Sequence, residues 1–560
     1  MKKLITAIAA AAVITASAQG PQPVRPANFT PYKYQYTVEQ LSKSYSAEVM
    51  NKAKKATAEM ETVIKNGPYK ANYDKIDRHR TPEWFIDAKF GVFLDWGLWS
   101  VPGYGRQGYH GNYYPDTYLG YMYNGDGTKM DYHKQYWGDD FERDDFIPLF
   151  TAKDFNAETF AKLCSEWGAK YVVPFCKHGD GMCLWNNSYS HRDYVDQPVH
   201  RDLMGEMYSA FRKFNIKCGF YYTVYEFEYP VLQNGKIVLA HAEVQNAPDA
   251  LKQNSIPFDS KQHNRMLTGK IAVNNYINDY FVPSMKEVID NYDPDILWFD
   301  NEWYNTGASN RTDFITAYFF DKAEGRKDVA VNDRFGTDSR EKHGDFYTSE
   351  YNVIIENFDN YWEENRPMGY SYGYDWRDND SSLMSSERLI EMLVRIVARN
   401  GNLLLMICPD GTGRIPEGQI SRMNDIGSWL KVNGEAIYGT RPWKTTRQWS
   451  AGEVPKLDYN KEYESAYDVT KLAAKPEGGK AAIEAFFTSK GSDVFAILPR
   501  WPGRAFHLRE VTGVKSVSLL GVAAPLQFKA SKRGVRIKLP ELPEELMRQP
   551  AWVLKVSREG

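Results

Sequence analysis

From Glu83 onward the chain repeats one pattern, a short apolar and aromatic run that ends in polar residues, followed by an amphipathic stretch. The runs are KFGVFLDWG from Lys89, YVVPFCKHGD from Tyr171, KCGFYYTVYE from Lys217, DILWFDNEW from Asp295, VAVNDRF from Val329 and NLLLMICPD from Asn402. Near-continuous apolar runs of this length suit strands buried on both faces, which parallel sheets require. The stretches between them read as helices, such as NAETFAKLCSEWGA from Asn156 and SERLIEMLVRIVARNG from Ser386. In the second, Ser385 or Ser386 beside Glu387 marks a start and Gly401 a stop. The number of repeats favours a closed barrel over an open sheet. In such a barrel the polar residues at the carboxyl ends of the strands build the active site. Those ends carry Asp95, His178, Asp180, Tyr222, Glu226, Asp300, Glu302, Asp333 and Arg334.

The rest of the chain sorts around this unit. With 560 residues it exceeds one ordinary core, so a second domain is expected. After Trp443 the helical pattern gives way to short alternating segments with Gly and Pro turns, closing on AWVLKVS. The expected fold is a (β/α)8 TIM-like barrel over residues 81–445 followed by a C-terminal β-sandwich over 446–560. An N-terminal extension covers 19–80, with a helical stretch from Val38 to Lys65. Residues 226–270 read as a long insertion after the third strand, either a wall of the cleft or an inert loop. Lys2 and Lys3, the apolar run from Leu4 to Ala16, and Ala16-Ser17-Ala18 form a signal peptide over residues 1–18. Export to the periplasm or the cell exterior follows from it. No segment is long and apolar enough to span a membrane.

A formal net charge of −3 provides no basic field for nucleic acid. The five cysteines, Cys164, Cys176, Cys183, Cys218 and Cys408, are odd in number and sit mostly in apolar runs. They read as small buried residues, with one bridge between Cys176 and Cys183 left open. No CxxC or HExxH pair points to zinc. Aromatic residues make up 14% of the chain, which serves either a large core or the stacking of sugar faces.

Glycoside hydrolysis uses two carboxyl groups flanking the scissile bond. Asp300 is the first charged residue after the buried run Ile296 to Phe299, a rigid position suited to a nucleophile or to a structural ion pair. Beyond this, five long segments resemble glycoside hydrolase family 29, the α-L-fucosidases. WFIDAKFGVFLDWGLWSVP is similar to the family's WFxxAKFGIFIHWGxYSVP, and YVVPFCKHGDGMCLWNNSYSHRDYVD to its KHHDG segment. DILWFDNEW resembles the nucleophile strand, and GNLLLMICPDGTGRIP and GEAIYGTRPW resemble the end of the barrel and the stretch after it.

The resemblance implies a retaining exo-glycosidase that releases terminal α-L-fucosyl residues from a glycan or glycoconjugate, with no metal or cofactor. It implies Asp300 as nucleophile and Glu350 as acid/base. Glu363 and Glu364 after Trp362 are rivals to Glu350, and Glu302 is expected to point elsewhere. Implied sugar-binding residues are Asp95, Asn112, Tyr113, His178, Tyr222, Trp298, Arg334 and Tyr372, with Tyr372 over the apolar face of the sugar.

The family's HWG is Asp95-Trp96-Gly97 here, its KHHDG has Gly179 for the second His, and its EWY is closest to Asn112-Tyr113-Tyr114. The Asn of its GNLLLN is Met406. Loss of the second His is expected to leave room for a bulkier substituent. Two alternatives follow, a glycosidase for a modified fucose or a related sugar such as L-galactose, and a barrel that binds carbohydrate without turnover. Oligomeric state is not legible.

Overall fold

The computed structural model describes residues 20–106, 114–123, 127–240, 255–259, 265–351, 360–369, 372–455 and 478–559. The expected leader at 1–18 and the candidate residues Asn112 and Tyr113 lie outside the described residues.

Eight parallel strands form the central sheet. They are β1 (Phe90–Leu94), β2 (Tyr171–Lys177), β3 (Lys217–Tyr222), β4 (Ile296–Phe299), β5 (Ala330–Val331), β6 (Tyr347–Glu350), β7 (Trp362–Arg366) and β8 (Gly401–Ile407). The sheet runs β5-β4-β3-β2-β1-β8-β7-β6, and a parallel bridge between Asn332 and Phe346 joins its two edges. The result is a barrel. The apolar runs supply six of the strands. The other two, YTSE and WEENR, carry charges, yet Glu363 and Glu364 are fully buried.

Strand alternation divides the core in two. Phe93, Phe175, Tyr221, Trp298 and Met406 fill the barrel interior. Their neighbours Val92, Leu94, Phe220, Tyr222, Phe299 and Leu405 pack outward with the helices. One irregularity interrupts this order. Between Phe175 and Lys177 the register of β2 against β3 shifts, so two residues of β2 advance while β3 advances one. A bulge of this kind re-aims the side chains that follow.

The helix at Val38–Asn66 begins with Thr37, which accepts from the Gln40 amide while Gln40 caps back onto Thr37. Its apolar stripe, including Leu41, Ala53 and Met60, joins the outer core, and the helix packs on those at Val282–Tyr292 and Thr312–Ala323. In the helix at Ser386–Val397 the cap is Ser385. That helix stops earlier than its sequence implies. Asn400 makes the left-handed turn, and Gly401 is the first residue of β8. Glycine is required there because a Cβ would lie 2.6 Å from the Trp362 indole.

The insertion after β3 folds into a hairpin, Tyr229–Gln233 against Lys236–Ala240, with Ile256–Pro257 alongside. The C-terminal part has an antiparallel five-stranded sheet and a three-stranded sheet over a shared core that includes Phe487, Leu508, Val535 and Leu554. This is a β-sandwich. Its first strand, Arg441–Trp449, crosses residue 445. All five cysteines are free and buried, so Cys176 and Cys183 are not bridged.

Candidate active site

A cavity of about 550 Å³ opens at the carboxyl ends of the strands. The parity of β4 explains why Asp300 faces it: Ile296, Trp298 and Asp300 share the inward side. The Asp300 carboxylate is held from two directions. Its Oδ2 accepts from the Tyr221 hydroxyl at 2.6 Å and its Oδ1 from Arg334 Nη1 at 2.9 Å.

Arg334 organises the centre of the site. Besides Asp300, its Nη1 lies 3.1 Å from Glu302 Oε1, and its Nη2 lies 3.3 Å from Glu350 Oε2. Its Nε donates to Thr348 Oγ1 at 2.8 Å, and its guanidinium sits 5.0 Å from the centre of the Trp298 ring. Trp298 is fixed in turn by its Nε1 donating to Glu363 Oε1 at 2.8 Å. Three acids therefore converge on one cation, from the ends of β4 and β6. Burial pushes the Asp300 carboxyl up to about 7, and the nearby Glu302 charge pushes the same way while Arg334 opposes it.

Of the candidate acids, Glu350 and Glu302 line the cavity, whereas Glu363 and Glu364 do not. Glu363 is occupied by Trp298 and by the Tyr171 hydroxyl at 2.5 Å, and Glu364 by the Ser349 hydroxyl. Glu363 supports the barrel interior, while Glu364 shares the parity of Trp362, which packs in the outer, helix-facing core. The expectation that Glu302 points elsewhere is not met, because it shares the inward parity of Asp300. Arg340 Nη1 holds it at 2.6 Å.

The sugar-site candidates divide in a similar way. His178, Trp298, Arg334 and Tyr372 line the cavity, but Tyr222 does not. Tyr222 packs outward in the helix-facing core, with Lys177 Nζ 4.5 Å from its ring centre. Its neighbour Tyr221 is the one that enters the site. Register links it to the motif residue, since Tyr221 pairs with Trp298 and Tyr222 with Phe299. His178 reaches the cavity because of the irregularity in β2. Burial lowers its pKa to about 3, the Lys177 charge adding to this, so the imidazole is neutral. Tyr372 stands against Tyr114, and its hydroxyl donates to Asn365 Oδ1 at 2.7 Å.

Asp95 is fully buried and absent from the cavity wall; its Oδ1 accepts from Trp99 Nε1 at 2.7 Å. The acid beside His178 in the wall is Asp116, with Oδ2 at 3.9 Å from His178 Nε2. Burial first, then the Asp95 charge, raises the Asp116 carboxyl well above the usual range. Asp116 follows the EWY-like segment Asn112-Tyr113-Tyr114, and only its nearness to Tyr114 could have flagged it. The space expected from Gly179 is also taken. A Cβ there would lie 2.8 Å from the Phe227 ring, which comes from the root of the insertion and lines the cavity.

Beneath that root lies a buried charge group. Glu226 receives Lys270 Nζ at 2.6 Å and Lys177 Nζ at 3.2 Å, all three side chains being essentially inaccessible.

A parallel barrel whose strand ends bring three acids to one arginine in an aromatic-walled cavity fits the class of glycoside-cleaving hydrolases. A family model described as alpha-L-fucosidase matches residues 56–435, and one described as the alpha-L-fucosidase C-terminal domain matches residues 480–557. The chain belongs to the alpha-L-fucosidase family. It is 30% identical over 389 residues to an alpha-L-fucosidase of Dictyostelium discoideum, covering 68% of this chain and 77% of that protein. It is 29% identical over 491 residues to the human plasma alpha-L-fucosidase, covering 84% and 88%. The crystal structure of Thermotoga maritima alpha-fucosidase in complex with fucose superposes with a TM-score of 0.65 at 28% identity, over 87% of this chain and all of that one.

Proposed function

We propose that this protein is a retaining α-L-fucosidase acting by double displacement, with Asp300 as nucleophile and Glu350 as acid/base. The observation that carries the reading is the shared guanidinium: Asp300 and Glu350 bind the two terminal nitrogens of Arg334 and face one cavity. In the first step an Asp300 oxygen bonds to the anomeric carbon as the bond to the leaving oxygen breaks, and Glu350 gives that oxygen its proton. In the second step Glu350 takes a proton from water. The water oxygen then bonds to the anomeric carbon, releasing Asp300 and restoring the acid. Tyr221 and Arg334 hold the attacking carboxylate in one orientation, a positioning contribution. Neutral His178 and the buried Asp116 carboxyl, both in the cavity wall, offer hydrogen bonds to sugar hydroxyls, and Tyr372 an apolar wall. The family membership and the fucose-bound T. maritima relative support fucose as the sugar.

The experiment has two arms. The anomer first released from an α-L-fucoside, read by proton NMR, should be α; the β-anomer would refute retention. A 2-deoxy-2-fluoro fucosyl fluoride should label Asp300, located by peptide mass. A label on Glu302 or Glu350 would reassign the nucleophile. We further propose export through removal of residues 1–18. Periplasmic or extracellular protein beginning near Gln19 is the expected result, and an unprocessed cytoplasmic chain would contradict it.

A further inference from the structure

Glu363 places a carboxylate where the core needs none. Its side chain is fully buried inside the barrel and accepts two hydrogen bonds, from Trp298 Nε1 at 2.8 Å and from the Tyr171 hydroxyl at 2.5 Å. Neither donor is charged, and the described residues give it no ion pair. Burial pushes its carboxyl up to about 7, while the Tyr171 and Trp298 hydrogen bonds and the Arg334 charge hold it down. Burying a carboxylate without a cation is costly. A buried indole does not by itself require one: Trp96, Trp362, Trp429 and Trp552 donate to backbone carbonyls. A charged acceptor holds an N–H about twice as strongly as a neutral one.

What rests on Trp298 accounts for the stronger hold. The Tyr221 ring lies along the indole, with centres 5.5 Å apart and planes within 25°, and the Arg334 guanidinium sits 5.0 Å from the indole centre. These two groups are the donors to Asp300, one to each carboxylate oxygen. Phe93 also packs on the indole, at 5.1 Å, but an apolar contact resists rotation weakly. The indole has one polar atom, so its one directional contact is with Glu363. A tilt of the ring would displace both donors to Asp300 together. A negative acceptor on the N–H also enriches the π face against which the guanidinium sits.

We propose that Glu363 is a positioning residue for the attack by Asp300, acting through the Trp298 indole on Tyr221 and Arg334. The inference rests on the reading of Asp300 as the nucleophile. Glu363 does not line the cavity and touches neither sugar nor reacting atoms. Its contribution therefore falls on the rate of the first bond-making step and leaves sugar binding almost unchanged.

The test is a double-mutant cycle of Glu363→Gln and Trp298→Phe, read at pH 8 as single-turnover cleavage of α-L-fucosyl fluoride. Fluoride leaves without a proton, so the rate reports attack by Asp300. Glutamine keeps an acceptor for the indole N–H in nearly the same shape, without the charge. The rate constant should fall about tenfold in Glu363→Gln, with the half-saturating concentration within about twofold of wild type. The same change made in Trp298→Phe should cost less than about twofold, because the coupled partner is already gone. A rate unchanged by Glu363→Gln would overturn the proposal. Equal losses in both backgrounds would also overturn it, since Glu363 would then act by a route other than the indole. Unfolding midpoints check that each variant is folded. If Trp298→Phe does not fold, the single variant decides: a loss confined to the rate constant supports the proposal, and a loss shared by half-saturation refutes it. If wild type leaves the fluoride intact, the fucosidase reading fails. The cycle is then read as affinity for a fucose-configured iminocyclitol, whose ammonium pairs with Asp300, with the same pattern expected and the same two results refuting it.

Discussion

Replacing Glu302 by Gln removes one of the three acids gathered on Arg334 and leaves the other two in place. Asp300 and Glu302 both contact Nη1, at 2.9 and 3.1 Å, so their nearest oxygens are at most 2.9 + 3.1 = 6.0 Å apart. Two unit charges at that separation repel by about 3 kcal/mol at an effective dielectric constant of 20. That corresponds to roughly two pK units on the group that titrates. Asp300 attacks only as the carboxylate, and with its carboxyl near 7 the ionised fraction falls as pH drops through neutrality. The acidic limb of kcat/KM for the wild type should therefore lie near pH 7, and that of Glu302→Gln should move down by about two units or more. The assay is kcat/KM for an aryl α-L-fucoside from pH 4 to 9 at low ionic strength. A limb that stays in place, or moves upward, would refute the argument that Glu302 sets the charge state of Asp300.

Glu350→Gln should cost about 10²- to 10⁴-fold on a glycan leaving group but far less in the first step with fucosyl fluoride, because fluoride leaves without a proton. Equal losses on both would remove Glu350 from the acid role; single-turnover rates make the comparison. Asp300→Asn should abolish hydrolysis and raise the Tm by several degrees at pH 8 but not at pH 4. The folded pKa is raised, so the stability Asp300 contributes is present below the usual carboxylate range and is lost as pH rises through about 7. A Tm gain independent of pH would contradict this. Glu226→Ala leaves Lys177 and Lys270 buried without their shared anion, at about 3–5 kcal/mol of stability. Denaturant midpoints would show it, and a neutral result would mean water has replaced the carboxylate.

The barrel was legible where its strands are apolar, because burial on both faces leaves continuous runs such as Ile296 to Phe299. It was not legible at β6 and β7. There the interior is polar by design, with Glu363 taken up by Tyr171 and Trp298, so hydropathy carries no trace of a strand. Within the site, Asp300, Arg334 and Glu350 followed from motif and position. The choice between Tyr221 and Tyr222 was a question of parity, answerable by pairing Tyr221 with Trp298. The entry of His178 depends on an irregularity in β2 that no local composition signals. The filling of the Gly179 space by Phe227 was beyond reach for another reason, since the two residues meet between the loops that leave the neighbouring strands β2 and β3, where the Phe227 amide donates to the Gly179 carbonyl.

The insertion carries two separate tasks. Phe227 shapes the pocket, while the Lys177–Glu226–Lys270 group fastens both ends of the segment to the barrel without touching the cavity. The fastening resembles a socket, and what is plugged into it can change independently. Hairpins of other lengths, grafted between residues 228 and 265, would inherit the same anchor and leave Asp300 undisturbed. The insertion is thus the natural place to retailor which glycans this barrel admits.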